Sequence, residues 1–69
     1  MKHISGKRMV KLLKERGWTH VASKGSHFKL VSPTGQIVIV PVHGNNDLRT
    51  GTQLGIMRDA GLTDDDLAG

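Results

Sequence analysis

Apolar positions near the start of the chain recur at helical spacing. Met9, Leu12 and Leu13 follow the i, i+3, i+4 pattern of one buried stripe, with Val10 at its edge. At ~100° per residue, Lys7, Lys11 and Lys14 fall together on the opposite side. Ser5 suits the N-cap, Ile4 and Met9 suit a hydrophobic staple, and Gly17 suits the C′ position. The pattern predicts a helix from Gly6 to Arg16, apolar inward and basic outward. The period then changes to two. Trp18 to Ser23 alternates weakly, and Gly25-Ser26 reads as a turn. From His27 to Ser32, Phe28 and Leu30 fall on one side and His27, Lys29 and Val31 on the other. Ser32-Pro33-Thr34-Gly35 has the residue order of a type I turn. Gln36 to Val42 contains Ile37-Val38-Ile39-Val40, the strongest strand-forming run in the chain. His43 to Asp47 has loop composition. A second helix is expected from Thr50, with Thr50 and Gln53 as a capping box and Gly61 at C′. Its inward face should carry Ile56 and Ala60, flanked by Leu54 and Met57. Thr63 and Asp66 repeat the capping pattern and predict a last turn over Asp64 to Leu67.

Tight turns between strands imply an antiparallel meander. The expected fold is α+β: a two-layer sandwich in the order α-β-β-β-α, with a three-stranded antiparallel sheet and both helices on one face. Double-stranded-RNA-binding domains share this element order, a topological analogy that does not assign function. The 69 residues read as one domain. A chain of this size buries only about 60% of its unfolded surface, so its stability is expected to be marginal. The sequence has no cysteine, which excludes disulfides, thiolate zinc ligands and a thiol nucleophile. No apolar run reaches the ~20 residues of a membrane span, and no apolar segment follows Lys2 and His3 as a signal peptide would require. A soluble cytoplasmic protein with no membrane association is expected. With only Trp18 and Phe28 as aromatics, a base-stacking platform of several rings is not expected.

Charge adds a direction. Residues 1–31 hold eight lysines and arginines against Glu15, net +7; residues 32–69 hold Arg49 and Arg58 against five aspartates, net −3. A basic half suggests a polyanionic partner such as nucleic acid, or simply a solvated face.

Few residues are equipped for chemistry. Four histidines, His3, His20, His27 and His43, supply nearly all the acid–base capacity, and their spacing does not suggest a metal site. Lys24-Gly25-Ser26-His27 is the sharpest cluster. Gly25 permits positive φ, and the turn's N–H groups suit an anion. Lys24 and Lys29 flank it with charge suited to phosphate, Ser26 adds a hydroxyl, and His27 can move a proton near neutral pH. These are parts that metal-free RNA cleavage uses. The same residues also read as an ordinary hairpin turn with a polar histidine on an open sheet face. His43, where the third strand ends, is a candidate second imidazole, phosphate ligand or loop cap. Arg49, Thr52 and Arg58 are further candidates for RNA contact, with surface exposure as the plain alternative.

Taken together and in order, these residues resemble the HicA family, the small mRNA interferases of HicA–HicB toxin–antitoxin pairs. Ser5-Gly6-Lys7, Leu12-Leu13 and Gly17-Trp18 match the family's first helix, and Lys24-Gly25-Ser26-His27 its central G-S-H motif. Pro33-Thr34-Gly35, Val40-Pro41 with His43, Asp47-Leu48, Gly51-Thr52, Ile56 and Ala60-Gly61-Leu62 complete the match over nearly the whole chain. The resemblance implies an endoribonuclease that degrades mRNA, with His27 as its single catalytic histidine and no cofactor. It also implies a HicB-type antitoxin partner. Phosphate or RNA contacts are expected from Lys24, Gly25, Ser26, Lys29 and His43, and from Lys7, Lys11 and Lys14 on the first helix. Two alternatives remain at this point. One is a non-catalytic double-stranded-RNA-binding module using that basic helix, and the other is a subunit whose basic face docks an acidic protein.

Overall fold

The computed structural model describes residues 1–68. Six elements follow in order: α1 (Gly6–Glu15), β1 (Thr19–Lys24), β2 (His27–Val31), β3 (Ile37–Pro41), α2 (Thr50–Ala60) and α3 (Asp64–Leu67). Ser5 caps α1 as expected, its hydroxyl accepting from the Arg8 N–H at 3.1 Å. Gly17 leaves the helix at φ +91°. Met9, Val10 and Leu13 are buried on its inward face. Gly6 is also buried, because α1 begins directly on the backbone leaving β3. A Cβ at Gly6 would run into the Pro41 carbonyl oxygen and lie 3.0 Å from the Val42 Cα.

The strands form one antiparallel sheet in the order β1-β2-β3. Leu30, Val38 and Val40 on one face join Met9, Val10 and Leu13 of α1 and Ile56 and Met57 of α2 in a single apolar core. This is the expected α+β sandwich, with both helices over one face. Gly25, at φ +57°, opens a two-residue turn in which Ser26 keeps a negative φ, the pattern of type II′. In the second hairpin the Gly35 N–H donates to the Ser32 carbonyl at 3.0 Å, and Gly35 itself sits at φ +88°.

The β1–β2 register contains an irregularity that alternation alone does not predict. His20 pairs with Leu30, but Ala22 pairs with Lys29, leaving Val21 as an extra residue in a β-bulge. The bulge moves the rest of β1 by one position. Ser23 then faces Phe28, and Lys24 faces His27.

Two details of the expected second helix differ. Arg49, not Thr50, is the N-cap of α2, and no side chain caps it. Gln53 is fully buried instead of reaching back to the cap. Its Oε1 accepts from the Ile4 N–H at 3.1 Å, and its Nε2 donates to the Lys2 carbonyl at 2.7 Å. A buried amide that satisfies both partners ties down the N-terminal segment, and that outweighs a solvent-exposed cap. The same segment forms a bridge between Ser5 and Asp47 and accepts the Leu48 N–H at the Ile4 carbonyl at 2.8 Å. The second difference is Leu54, which is 50% exposed, while Met57 takes the inward position beside Ile56.

The last turn forms as expected. The Thr63–Asp66 capping box is present, with the Thr63 N–H donating to Asp66 Oδ2 at 2.7 Å. Arg16 at the end of α1 ion-pairs with Asp66. Leu67 of α3 is fully buried in the core. No helix among the described residues is long and apolar enough to cross a membrane.

Candidate functional site

Register decides what stands beside His27. Residues opposite one another across an antiparallel pair share a face, as do i and i+2 along a strand. His27 is opposite Lys24 on β1 and opposite Pro41 on β3. Lys29 lies two residues further along β2, about 7 Å away by strand rise. All four are on the sheet face that the helices leave open. His27, Lys24 and Lys29 are exposed. This face also carries Ile37 and Ile39 of β3, 52% and 46% exposed, and Val21 of the bulge, two strands away on β1, is exposed as well. Neither aromatic ring reaches it: Trp18 is buried, and Phe28 packs against the core.

The hairpin turn is fixed to the strand exit. The Ser26 carbonyl accepts from the Val42 N–H at 2.6 Å. His43, the next residue, is thereby held at the same end of the sheet as Gly25, Ser26 and His27. A tight turn follows, with Gly44 at φ +57° and the Asn46 N–H donating to the His43 carbonyl at 3.0 Å. It turns the chain back toward the start of α2. A cavity of about 290 Å³ opens there, lined by Pro41, His43, Asn46, Asp47, Arg49 and Thr52 among others. Pro41 is thus both a wall of this cavity and the cross-strand neighbour of His27.

His20 contributes a feature that the sequence pattern did not reveal. Its ring stacks on Phe28, with centroids 4.7 Å apart and planes within 9°. Its Nε2 lies 2.9 Å from the Ala22 carbonyl and 2.8 Å from Ser23 Oγ. The carbonyl can only accept, so Nε2 carries the proton. These interactions lie along the backbone of the bulge that brings Lys24 opposite His27. A partner two or three residues away on the same strand was the available sequence signal, but it has meaning only once the bulge is known.

The three lysines of α1 are placed differently from one another. Lys7 follows Gly6, whose backbone abuts Pro41 and Val42, so Lys7 starts the helix beside the His27 end of the sheet. Lys11 lies further along. It lines a groove of about 440 Å³ between α1 and α3 together with Arg8, Glu15, Arg16, Asp65 and Asp66. Lys14 is in the last turn of α1 and exposed. This larger groove does not include the His27 hairpin, and the carboxylates of α3 offset its positive charge. Asp66 is held below the ordinary aspartate range, first by the Thr63 N–H and next by Arg16. No group of three histidine, aspartate or glutamate side chains placed to hold a metal occurs among the described residues.

One comparison bears on what this arrangement is for. The family model described as "HicA toxin of bacterial toxin-antitoxin" matches residues 6–62. The chain belongs to the HicA toxin family. It is accordingly a toxin of a bacterial toxin–antitoxin pair. No curated relative matches the chain. The HicA match begins at the first residue of α1 and ends just before α3, so it contains the His27 hairpin, the His43 turn and the cavity wall. The acidic last turn lies outside it.

Proposed function

We propose that this HicA-family toxin is an endoribonuclease that cleaves mRNA by metal-independent acid–base chemistry centred on His27. The observation that carries this reading is an exposed imidazole on an open sheet face, with Lys24 across the hairpin and Lys29 two residues along. In the reaction, a base takes the proton from a ribose 2′-hydroxyl, and O2′ attacks the adjacent phosphorus. The P–O5′ bond breaks, and the departing 5′-oxygen receives a proton. The products are a 2′,3′-cyclic phosphate and a free 5′-hydroxyl, with no external reactant consumed. His27 supplies one of the proton transfers. Lys24 and Lys29 stabilise the charge that develops on the phosphorane oxygens. His43, held at the same end of the sheet, is the candidate for the second transfer.

A HicB-type antitoxin is the proposed partner. Neutralisation by occlusion requires it to cover His27, and the exposed Ile37, Ile39 and Val21 on and beside that face supply apolar contact area. A standard interface of about 800 Å² per partner is roughly a fifth of the toxin's 4299 Å² surface. The alternative of a non-catalytic RNA-binding module using α1 has less support, because Lys11 shares its groove with Asp65 and Asp66.

The deciding experiment is RNA cleavage in EDTA by wild type beside His27→Ala. Loss of acid–base help should reduce the rate by about 10²–10⁴-fold, and the wild-type products should end in cyclic phosphate. Equal rates from the two proteins would refute the assignment of His27.

A further inference from the structure

The cavity beside His27 contains polar side chains that nothing in the fold occupies. His43, Asn46, Asp47, Arg49 and Thr52 all line it, and no side-chain hydrogen bond or ion pair of theirs occurs among the described residues. Asp47 is the one carboxylate in this lining. It shares a cavity with Arg49 and His43, yet it forms no ion pair with either. Elsewhere on the molecule, Asp59 and Asp66 each have an arginine partner, whereas Asp64 and Asp65 on the exposed last turn have none among the described residues. The backbone around Asp47 is fixed by its bridge to Ser5 and by the adjoining Leu48 N–H bond to the Ile4 carbonyl. The carboxylate itself is exposed, so it is an acceptor open to a ligand on a backbone that is held in place.

We infer that this cavity is a nucleotide subsite that selects guanine next to the scissile phosphate. The inference rests on the reading of the His27 hairpin as the cleavage site, because Pro41 joins the two. The cavity is open to solvent, and at about 290 Å³ it has room for one nucleotide of a longer strand. A carboxylate accepts two parallel hydrogen bonds only from a base edge with adjacent donors. Guanine presents such an edge in N1–H and its exocyclic amine. Adenine and cytosine offer an amine beside an acceptor nitrogen, and uracil a single N–H between two carbonyls. Asp47 therefore discriminates by chemistry, and Asn46 adds an amide with both donor and acceptor capacity. Pro41 and the His43 ring offer flat surface to a base. Arg49 and Thr52 offer donors to the attached phosphate and sugar.

Two measurements test this. The first does not depend on cleavage: 5′-GMP and 5′-AMP are titrated separately into isotope-labelled wild type, following the backbone amides of residues 46–52 by NMR. Shifts there with GMP at concentrations where AMP leaves them unmoved are expected. Equal shifts from both nucleotides would mean a general phosphate interaction and would overturn the guanine assignment, as would no shift from either. The second compares cleavage products from a mixed-sequence RNA by wild type and Asp47→Asn. Removing one bidentate bond to the base should lower the preference for guanosine beside the cut by about tenfold to a hundredfold. An unchanged cut-site profile would overturn the subsite while leaving His27 in place. Absence of cleavage by wild type would count against the ribonuclease reading, and the GMP titration would still decide the subsite.

Discussion

At the scale of single residues, two glycines separate two kinds of constraint. Gly6 is required by space: any side chain there meets the backbone of Pro41 and Val42. Gly25 has nothing within 4 Å, and only its φ of +57° disfavours a side chain. Gly25→Ala should cost about 1–2 kcal/mol, the usual left-handed penalty. Gly6→Ala should cost about 1–3 kcal/mol or more, because backbone on both sides must move. Urea midpoints of the two variants will show this order, and a harmless Gly6→Ala would contradict the close approach of α1 to the end of β3. His20 Nε2 bonds Ala22 and Ser23 on the bulged strand that carries Lys24. His20→Phe retains a ring over Phe28 but removes the donor to Ala22. It should lower RNA cleavage by about tenfold to a hundredfold through misplacement of Lys24, against a stability loss of only about 1 kcal/mol. Parallel losses in melting temperature and activity, without an added catalytic defect, would make His20 a packing residue alone.

At the scale of elements, α3 is tied to the end of α1 by one ion pair, Arg16 with Asp66, and buries Leu67 in the shared core. The lowered carboxyl of Asp66 sets the sign of its pH dependence. A carboxylate depressed in the native state stabilises fully above about pH 4, and that contribution fades as pH falls through the native value. Asp66→Asn should therefore unfold at lower urea than wild type near neutral pH, and the two should converge in strong acid. A gap that stays constant with pH would mean the aspartate acts only as a neutral helix cap.

At the scale of the whole molecule, the basic and acidic halves of the chain do not separate into two poles. α3 returns Asp65 and Asp66 to the flank of basic α1, so part of the helix's charge is offset near its C-terminal end. Lys7, at the other end, stands beside the strand exit and His43. Removal of one lysine that neutralises a phosphate should reduce the salt dependence of RNA binding by about one unit of slope. Lys7→Ala should show that reduction, while Lys11→Ala should change it less. Equal reductions in the two variants would place RNA along the full helix. The open sheet face is the complementary whole-molecule feature, because three short strands with both helices on one side leave the other side uncovered.

Hydrophobic spacing and turn chemistry by themselves determined the elements of this protein. The α1 stripe, the Ile37–Val40 run, the Gly25 and Gly35 turns and the Thr63–Asp66 cap are local signals that local geometry satisfies, except that Val10 is buried beside Met9 and Leu13 while Leu12, expected inward, is only partly buried and lines the groove toward α3. The likeness in residues 6–62 and the candidacy of His27 were legible for the same reason, since the G-S-H turn is contiguous in the chain. Tertiary structure alone decided the rest. Gln53 carries a capping signal that loses to a buried pair of partners 49 and 51 positions away. The Val21 bulge, which determines whether Lys24 faces His27, depends on pairing with a second strand and leaves no mark on the spacing of β1. The cavity of His43, Asp47 and Arg49 exists only because Pro41, Ser5 and the start of α2 meet there. Periodicity reports which way a side chain points from its own backbone, whereas neighbours distant in sequence are set by the packing of one element on another.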